Sequence, residues 1–411
     1  MAVVSHTSQG GITATDGLTR YSGLGPQILQ ADTVENDVKT LFRTAGTFSK
    51  MYAYVSTNTL TTASSTARLR VDGADVNLAV VVGPGLTGWF SDTSNTDTIT
   101  AGQEVSFMIS TPGQAGTVSA VFKVLHIDFE ASANTVKRLI GGLAGFTNLT
   151  ATTKYTPLGG KVDNETTAIH DYEFNQSCTL KNLAVLVTVN SRSDAAVTLK
   201  TADGAGTALG LSVSCTASTT GWFEDTSNTD TIAANDLVQL RWDSATSTGT
   251  FTPTVTAVDV VSTDSKYPLI AAEQNSSISA GQTFFGIEGG TSWRDANIAV
   301  AETTATQDAT FSNLFVNVSA NTANGATTIA LYQDGSTTAL SLSVDASTTG
   351  IFEDTDSVSI TAGELLATTC NHTGASGNIT LATVGYLVTV GGGPATSIKD
   401  LIGTGIIAFA R

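Results

Sequence analysis

Positive charge is scarce in this chain. Lys and Arg together number 19 of its 411 residues against 36 Asp and Glu, a formal net charge of −17. So acidic a protein repels phosphate backbones and anionic lipid surfaces, which argues against nucleic-acid and membrane partners. Long apolar runs are missing too. Nothing approaches the roughly 18–20 residues of a membrane span, and the greasiest stretch, LIGTGIIAFAR at Leu401–Arg411, is too short. The N-terminus, MAVVSHTSQGGITATDG, has no basic segment leading into an apolar core. No Sec-type leader is expected, and synthesis in a cytoplasm is.

Cysteine is equally sparse. Cys178, Cys215 and Cys370 are odd in number and far apart, and no Cys-x-x-Cys suggests zinc or dithiol chemistry. A Cys178–Cys215 disulfide is disfavoured by a cytosolic origin. His6, His126, His170 and His372 are scattered without metal-binding spacing. There is no Gly-x-Ser-x-Gly elbow and no phosphate-binding glycine loop. These absences lead to the expectation of a non-enzymatic protein without a cofactor.

What the chain has is repetition. TGWFSDTSNTDTITAGQEV begins at Thr87, TGWFEDTSNTDTIAANDLV at Thr220 and TGIFEDTDSVSITAGELL at Thr349. Upstream of each lies an Asp-Gly pair, Asp72-Gly73, Asp203-Gly204 and Asp334-Gly335, between alternating runs such as ARLRV and VNLAVVV. Asp-Gly between alternating strands marks a type I′ hairpin, because both residues tolerate positive φ. Further strands align on either side. The period is too long for a solenoid, whose units have no core of their own.

The expected fold is therefore all-β: three tandem antiparallel β-sandwich domains, jelly-roll or immunoglobulin-like, joined by Gly-rich arms. The boundaries read as an N-terminal arm over 1–16 and repeats over 17–150, 151–280 and 281–411, the last ending in an apolar tail. A linear rod and a pseudo-threefold ring are both open. NTVKRLIGGLAG (134–145) and TSIKDLIGTG (396–405) read as sites for a helical turn or two.

Repetition tests each suspicious residue. Cys178 falls in a column with Gly46 and Ala309, Cys215 with Val82 and Val344, Cys370 with Trp242 and Ile109. All three thiols thus read as buried small hydrophobes. The acidic stretch is the remaining candidate for chemistry. Asp92, Asn95 and Asp97 match Asp225, Asn228 and Asp230, and oxygen ligands at alternating positions suit Ca²⁺. The third copy keeps Glu353 and Asp354 but has no acid matching Asp97 and Asp230, which favours turn chemistry, with side chains capping backbone N–H groups. Trp89 and Trp222 beside these acids suit a glycan face, but Ile351 in the third copy points to packing.

Tandem sandwich units in which an Asp-Gly hairpin precedes TTGWFEDTSNTDT and then AANDLVQL resemble repeats of tailed-bacteriophage virion structural proteins. The resemblance extends over all three units and carries no catalytic residue. It implies a decoration, head-fibre or minor capsid protein that is made without a leader, resides in the virion and contacts other virion proteins, either major capsid or tail. Such projections are homo-oligomers, commonly trimers. A capsid location is favoured over a tail fibre, since no coiled-coil or β-helical shaft is present. The alternative is a tail fibre or adhesin that binds host glycan through its aromatic-acidic loops.

Overall fold

The computed structural model describes the chain except residues 1–2, 16, 26–31, 114–117, 133–134, 143–151, 162–165, 194–195, 246–248, 263, 273–276, 280, 289–294, 373, 375 and 391–411. The described residues form six sheets, paired into three β-sandwiches, with no α-helix. All pairing is antiparallel except a two-residue contact of Gly141–Gly142 with Gly160–Lys161.

Each unit has an inner sheet built in the order opening, closing, central and edge strand. The opening strands are Val3–Thr15, Thr135–Gly142 and Lys266–Ala272; the closing strands are Ser119–Ala131, Phe251–Ser262 and Asn378–Val390. The central strands are Gly46–Asn58, Cys178–Asn190 and Ala309–Asn321; the edge strands are Gly88–Ile99, Gly221–Ile232 and Gly350–Ile360. The outer sheet of the first unit contains Thr19–Gly23, Glu104–Ser110, Ser65–Val71 and Ala74–Val82, with Thr40–Leu41 as a short addition. Units two and three repeat this order, with Tyr172–Phe174 and Thr303–Thr304 as the short strands.

The opening strands shift the expected frame. The segment read as an N-terminal arm pairs along its length with Ser119–Ala131. Thr135–Gly142, read as helical, is a strand on Val255–Ser262 of the second unit, and Lys266–Ala272 joins the third unit's Thr383–Thr389. The helical reading fails because Val136, Leu139 and Ile140 belong to a strand buried on both faces, whose pattern does not alternate. TSIKDLIGTG and the apolar tail lie outside the described residues.

The two sheets of a sandwich differ in cover. Ser65–Val71 alternates buried and half-buried positions, as a strand with one wet face does. The closing strands are buried without a break over 124–129, 255–260 and 381–388. One face of each inner sheet packs on its own outer sheet, and the other is covered by neighbouring units. Accordingly one apolar cluster runs through the first and third units and reaches Leu186 and Val255 of the second.

The hairpins at Asp72-Gly73 and Asp334-Gly335 have positive φ at both residues, as expected. The second unit departs from this. Two additional residues lengthen its turn, the positive φ moves to Gly206, and the Asp203 carboxylate accepts the amides of Ala205 and Thr207. Cys178, Cys215 and Cys370 are all buried and none is in a disulfide, in the columns read from the sequence. Burial pushes the Cys178 and Cys215 thiols up to about 12, so neither is a thiolate nucleophile.

Candidate functional site at the junction of the three units

The repeated acidic stretch is a strand. Gly88–Ile99 forms the outer edge of the inner sheet, and a bulge opposite Lys50 gathers its polar residues. Lys50 has a left-handed φ of 49°, and Asn182 and Asn313 repeat it at 54° and 52°, so the bulge is built into all three copies. Asp92 accepts the amides of Ala79, Ser94 and Asn95 and the Asn95 side chain. Asp97 accepts the amides of Asn77 and Leu78 and the Asn77 side chain. Residues 77–79 lie at the outer sheet's edge, so both carboxylates clasp one sheet to the other. Asp225 takes the amides of Ser212, Ser227 and Asn228, while Asp230 takes those of Gly210 and Leu211 and the Thr201 hydroxyl.

Burial works to raise the Asp92 and Asp225 carboxyls, but the amides around them outweigh it and hold both below the usual Asp range. Asn95 and Asn228 turn their amide nitrogens to these acids. A cation here would have to displace those donors. Among the described residues, no group of three or more His, Cys, Asp or Glu is placed to hold a metal. In the third unit Asp354 repeats the first clasp through Ser341, and Val358 stands opposite Phe311 where Asp97 stands opposite Phe48. Trp89 and Trp222 are each only partly exposed. Trp89 lies beside Tyr54 with ring centres 5.3 Å apart, and Trp222 packs against the apolar cluster shared by the units.

A second set of polar residues joins the units. Arg43 of the first unit donates to Glu224 of the second, with Nε 3.0 Å from Oε1. The matching Asn175 of the second reaches Glu353 of the third at 3.4 Å. The matching Thr306 of the third donates to Asp128 of the first at 2.8 Å, and its carbonyl accepts the Lys50 ammonium at 2.6 Å. Three equivalent positions thus dock head-to-tail, first on second, second on third, third on first, and the ring closes.

The centre of the ring is ionic. Lys137, on the second unit's opening strand, lies 2.6 Å from Glu288 of the third and donates to the Ser5 carbonyl of the first. Glu288 also accepts the Thr7 amide of the first unit at 3.2 Å. One buried pair therefore touches all three units. Burial lowers the Lys137 ammonium's pKa, against the pull of Glu288. Beside it, Arg138 meets Asp259 at 2.8 Å, and Asn182 donates to the other carboxylate oxygen at 2.7 Å. His6 is fully buried and edge-on to Phe42; burial, with Lys137 nearby, holds it well below the ordinary histidine range, so it is neutral.

Sequence reasoning passed over Lys137, Arg138, Asp259 and Glu288. The signal lay in the repeat columns. Lys137 shares its position with Val4 and Tyr267, and Glu288 shares its position with Gly25 and Gly159. A charge that appears in one copy only, within an apolar or glycine column, marks a contact that the repeat does not make symmetrically.

No known protein-family model matches this chain, and no curated protein matches it significantly.

Proposed function

We propose that the protein is a non-enzymatic structural subunit of a phage particle, a capsid-associated decoration or minor capsid protein that acts through subunit contacts. The observation that carries this reading is where the polar groups go. The acids of the repeated stretch clasp sheet to sheet, and the buried Lys137–Glu288 pair clasps unit to unit. Each has an architectural use. A ring of three related units presents three related faces, which suits attachment over a threefold position of a lattice, with other virion proteins as partners. The acidic outer surface keeps such a projection soluble and apart from its neighbours.

Imaging of native particles that carry the protein tests the proposal. The expected result is density for a three-lobed unit on the capsid shell. Density confined to the tail, or no association with particles, would overturn it. Glycan-array binding that is lost in Trp89→Ala and Trp222→Ala would favour the adhesin reading instead.

A further inference from the structure

Two of the joints carry opposite charge in the same columns. Where the first unit meets the second, Lys39, Leu41 and Arg43 stand in the positions that Asp171, Glu173 and Asn175 hold where the second meets the third. Both cations of the first joint are matched: Lys39 lies 3.3 Å from Glu104, and Arg43 donates through two nitrogens to Glu224. The second joint keeps the receiving acid, Glu353 in the column of Glu224, but has neither cation. Instead Glu173 lies beside Glu353, and the Asn175 amide reaches it at 3.4 Å.

This joint is short of donors. Asp171 is 6% exposed and its Oδ1 accepts no hydrogen bond, and Asn175 Oδ1 accepts none either. Among the described residues, no Lys or Arg pairs with Asp171, Glu173 or Glu353. Burial and the neighbouring Asp203 push the Asp171 carboxyl up to about 7, and burial with Glu353 raises that of Glu173, as in crowded acids without a counter-ion.

A cleft of about 400 Å³ opens at the same joint, lined by Ile169 and Asp171 of the second unit and by Asn317, Val318 and Ile351 of the third. Ile351 is 41% exposed, and Glu353 follows it on the same face of the strand. An apolar wall that leads to carboxylates suits a long basic side chain, whose stem packs while its head group pairs. A guanidinium fits better than an ammonium, because its planar fork serves two acceptors at once.

We propose that this cleft receives an arginine side chain of a partner protein, which supplies at the second joint the guanidinium that Arg43 supplies at the first. A chain of net charge −17 draws basic partners towards it.

Titration of the full chain with N-acetyl-arginine amide, followed through the Ile351 methyl and Asn175 side-chain amide resonances, tests this. N-acetyl-citrulline amide, uncharged and of nearly the same shape, is the control. Wild type is expected to bind the arginine compound with a Kd on the order of 1 mM and to ignore the citrulline one. Glu353→Gln and Asp171→Asn should each weaken binding about tenfold. Asn175→Arg, which rebuilds the Arg43 contact from within, should abolish the response. Equal shifts with citrulline, no shift with arginine, or full binding by a folded Glu353→Gln variant would overturn the proposal. Binding is read on the isolated protein, so its failure leaves the particle proposal standing, and the reverse holds.

Discussion

Two of the three joints use the same position, that of Tyr172 and Thr303 on the short strands, in opposite ways. Where the second unit meets the third, Tyr172 lays its ring on Gly385, so close that a Cβ there would come within 2.3 Å of it, and its hydroxyl donates to the Tyr386 carbonyl at 3.3 Å. Phe315 closes the other side of the ring at 5.7 Å. Where the third unit meets the first, Thr303 takes the place of Tyr172, and His126 and Tyr52 take those of Gly385 and Phe315. Bulk has changed sides. At one joint the incoming residue is large and a glycine lies under it; at the other the incoming residue is small and His126 stands in the glycine's place. Each joint is complementary within itself and mismatched to the other, so the units are related in fold but cannot exchange places.

The sharpest way to break that order is at the centre. Glu288→Ala leaves the Lys137 charge buried without its partner, and a loss of about 3–5 kcal/mol is expected in urea unfolding. Lys137→Met combined with Glu288→Leu should recover much of it, since an apolar pair of similar volume removes the desolvation cost. Next in size is Gly385→Ala, which forces Tyr172 from its seat and should cost about 1–3 kcal/mol. Adding Tyr172→Thr, to imitate the other joint, should relieve the clash in a double-mutant cycle. Non-additivity near zero would show that the two residues are not opposed.

Smaller effects separate the edge clasps from the joints. Asp97→Ala strips the acceptor from two backbone amides at a sheet edge and should cost about 1–3 kcal/mol, whereas Val358→Ala at the same column tests packing alone. The Asp92 and Asp225 carboxyls are held low in the folded state, so their contribution is present above the unfolded Asp pKa and is lost as pH falls through the lower folded values. Stability measured from pH 6 downward should therefore begin to fall near the usual Asp range, about 4, with a shallower fall in Asp92→Asn. Arg43→Ala is expected to cost about 0–1 kcal/mol, because that pair is partly exposed. Smallest of all, excess chelator should leave Tm unchanged. A drop would restore calcium to the acidic edge.

Much of the fold was legible in the sequence because alternation and repetition are local signals. The Asp-Gly turns at 72–73 and 334–335 and the columns of all three cysteines needed only self-comparison. The opening strands were not legible. Thr135–Gly142 lies close behind Phe129 in sequence yet belongs to the next sandwich, and with both faces covered it shows no period of two. The acidic stretch misled for a related reason. Carboxylates grouped for amide capping and carboxylates grouped for a cation look alike until the amides are placed. The joints are written in the columns where copies disagree, Thr40 with Tyr172 and Thr303, or Gly25 with Glu288, which a search for shared motifs passes over.

The strand order of the inner sheets also sets a timetable. In the inner sheet of every unit the last strand among the described residues lies between the first and the central one, so that Thr7 waits for His126 and Leu139 for Val258. Until the ribosome delivers that strand, the opening strand lacks its main neighbour, and in the second unit has only the two-residue contact with Gly160–Lys161, so its apolar side chains stay wet. Pairings of such sequence separation form slowly. Each nascent unit therefore passes through an interval with an unfilled slot in its sheet, and then completes at a stroke. A chain stopped just before residue 119, 251 or 378 would carry that slot permanently, and would be expected to aggregate through it, not to unfold.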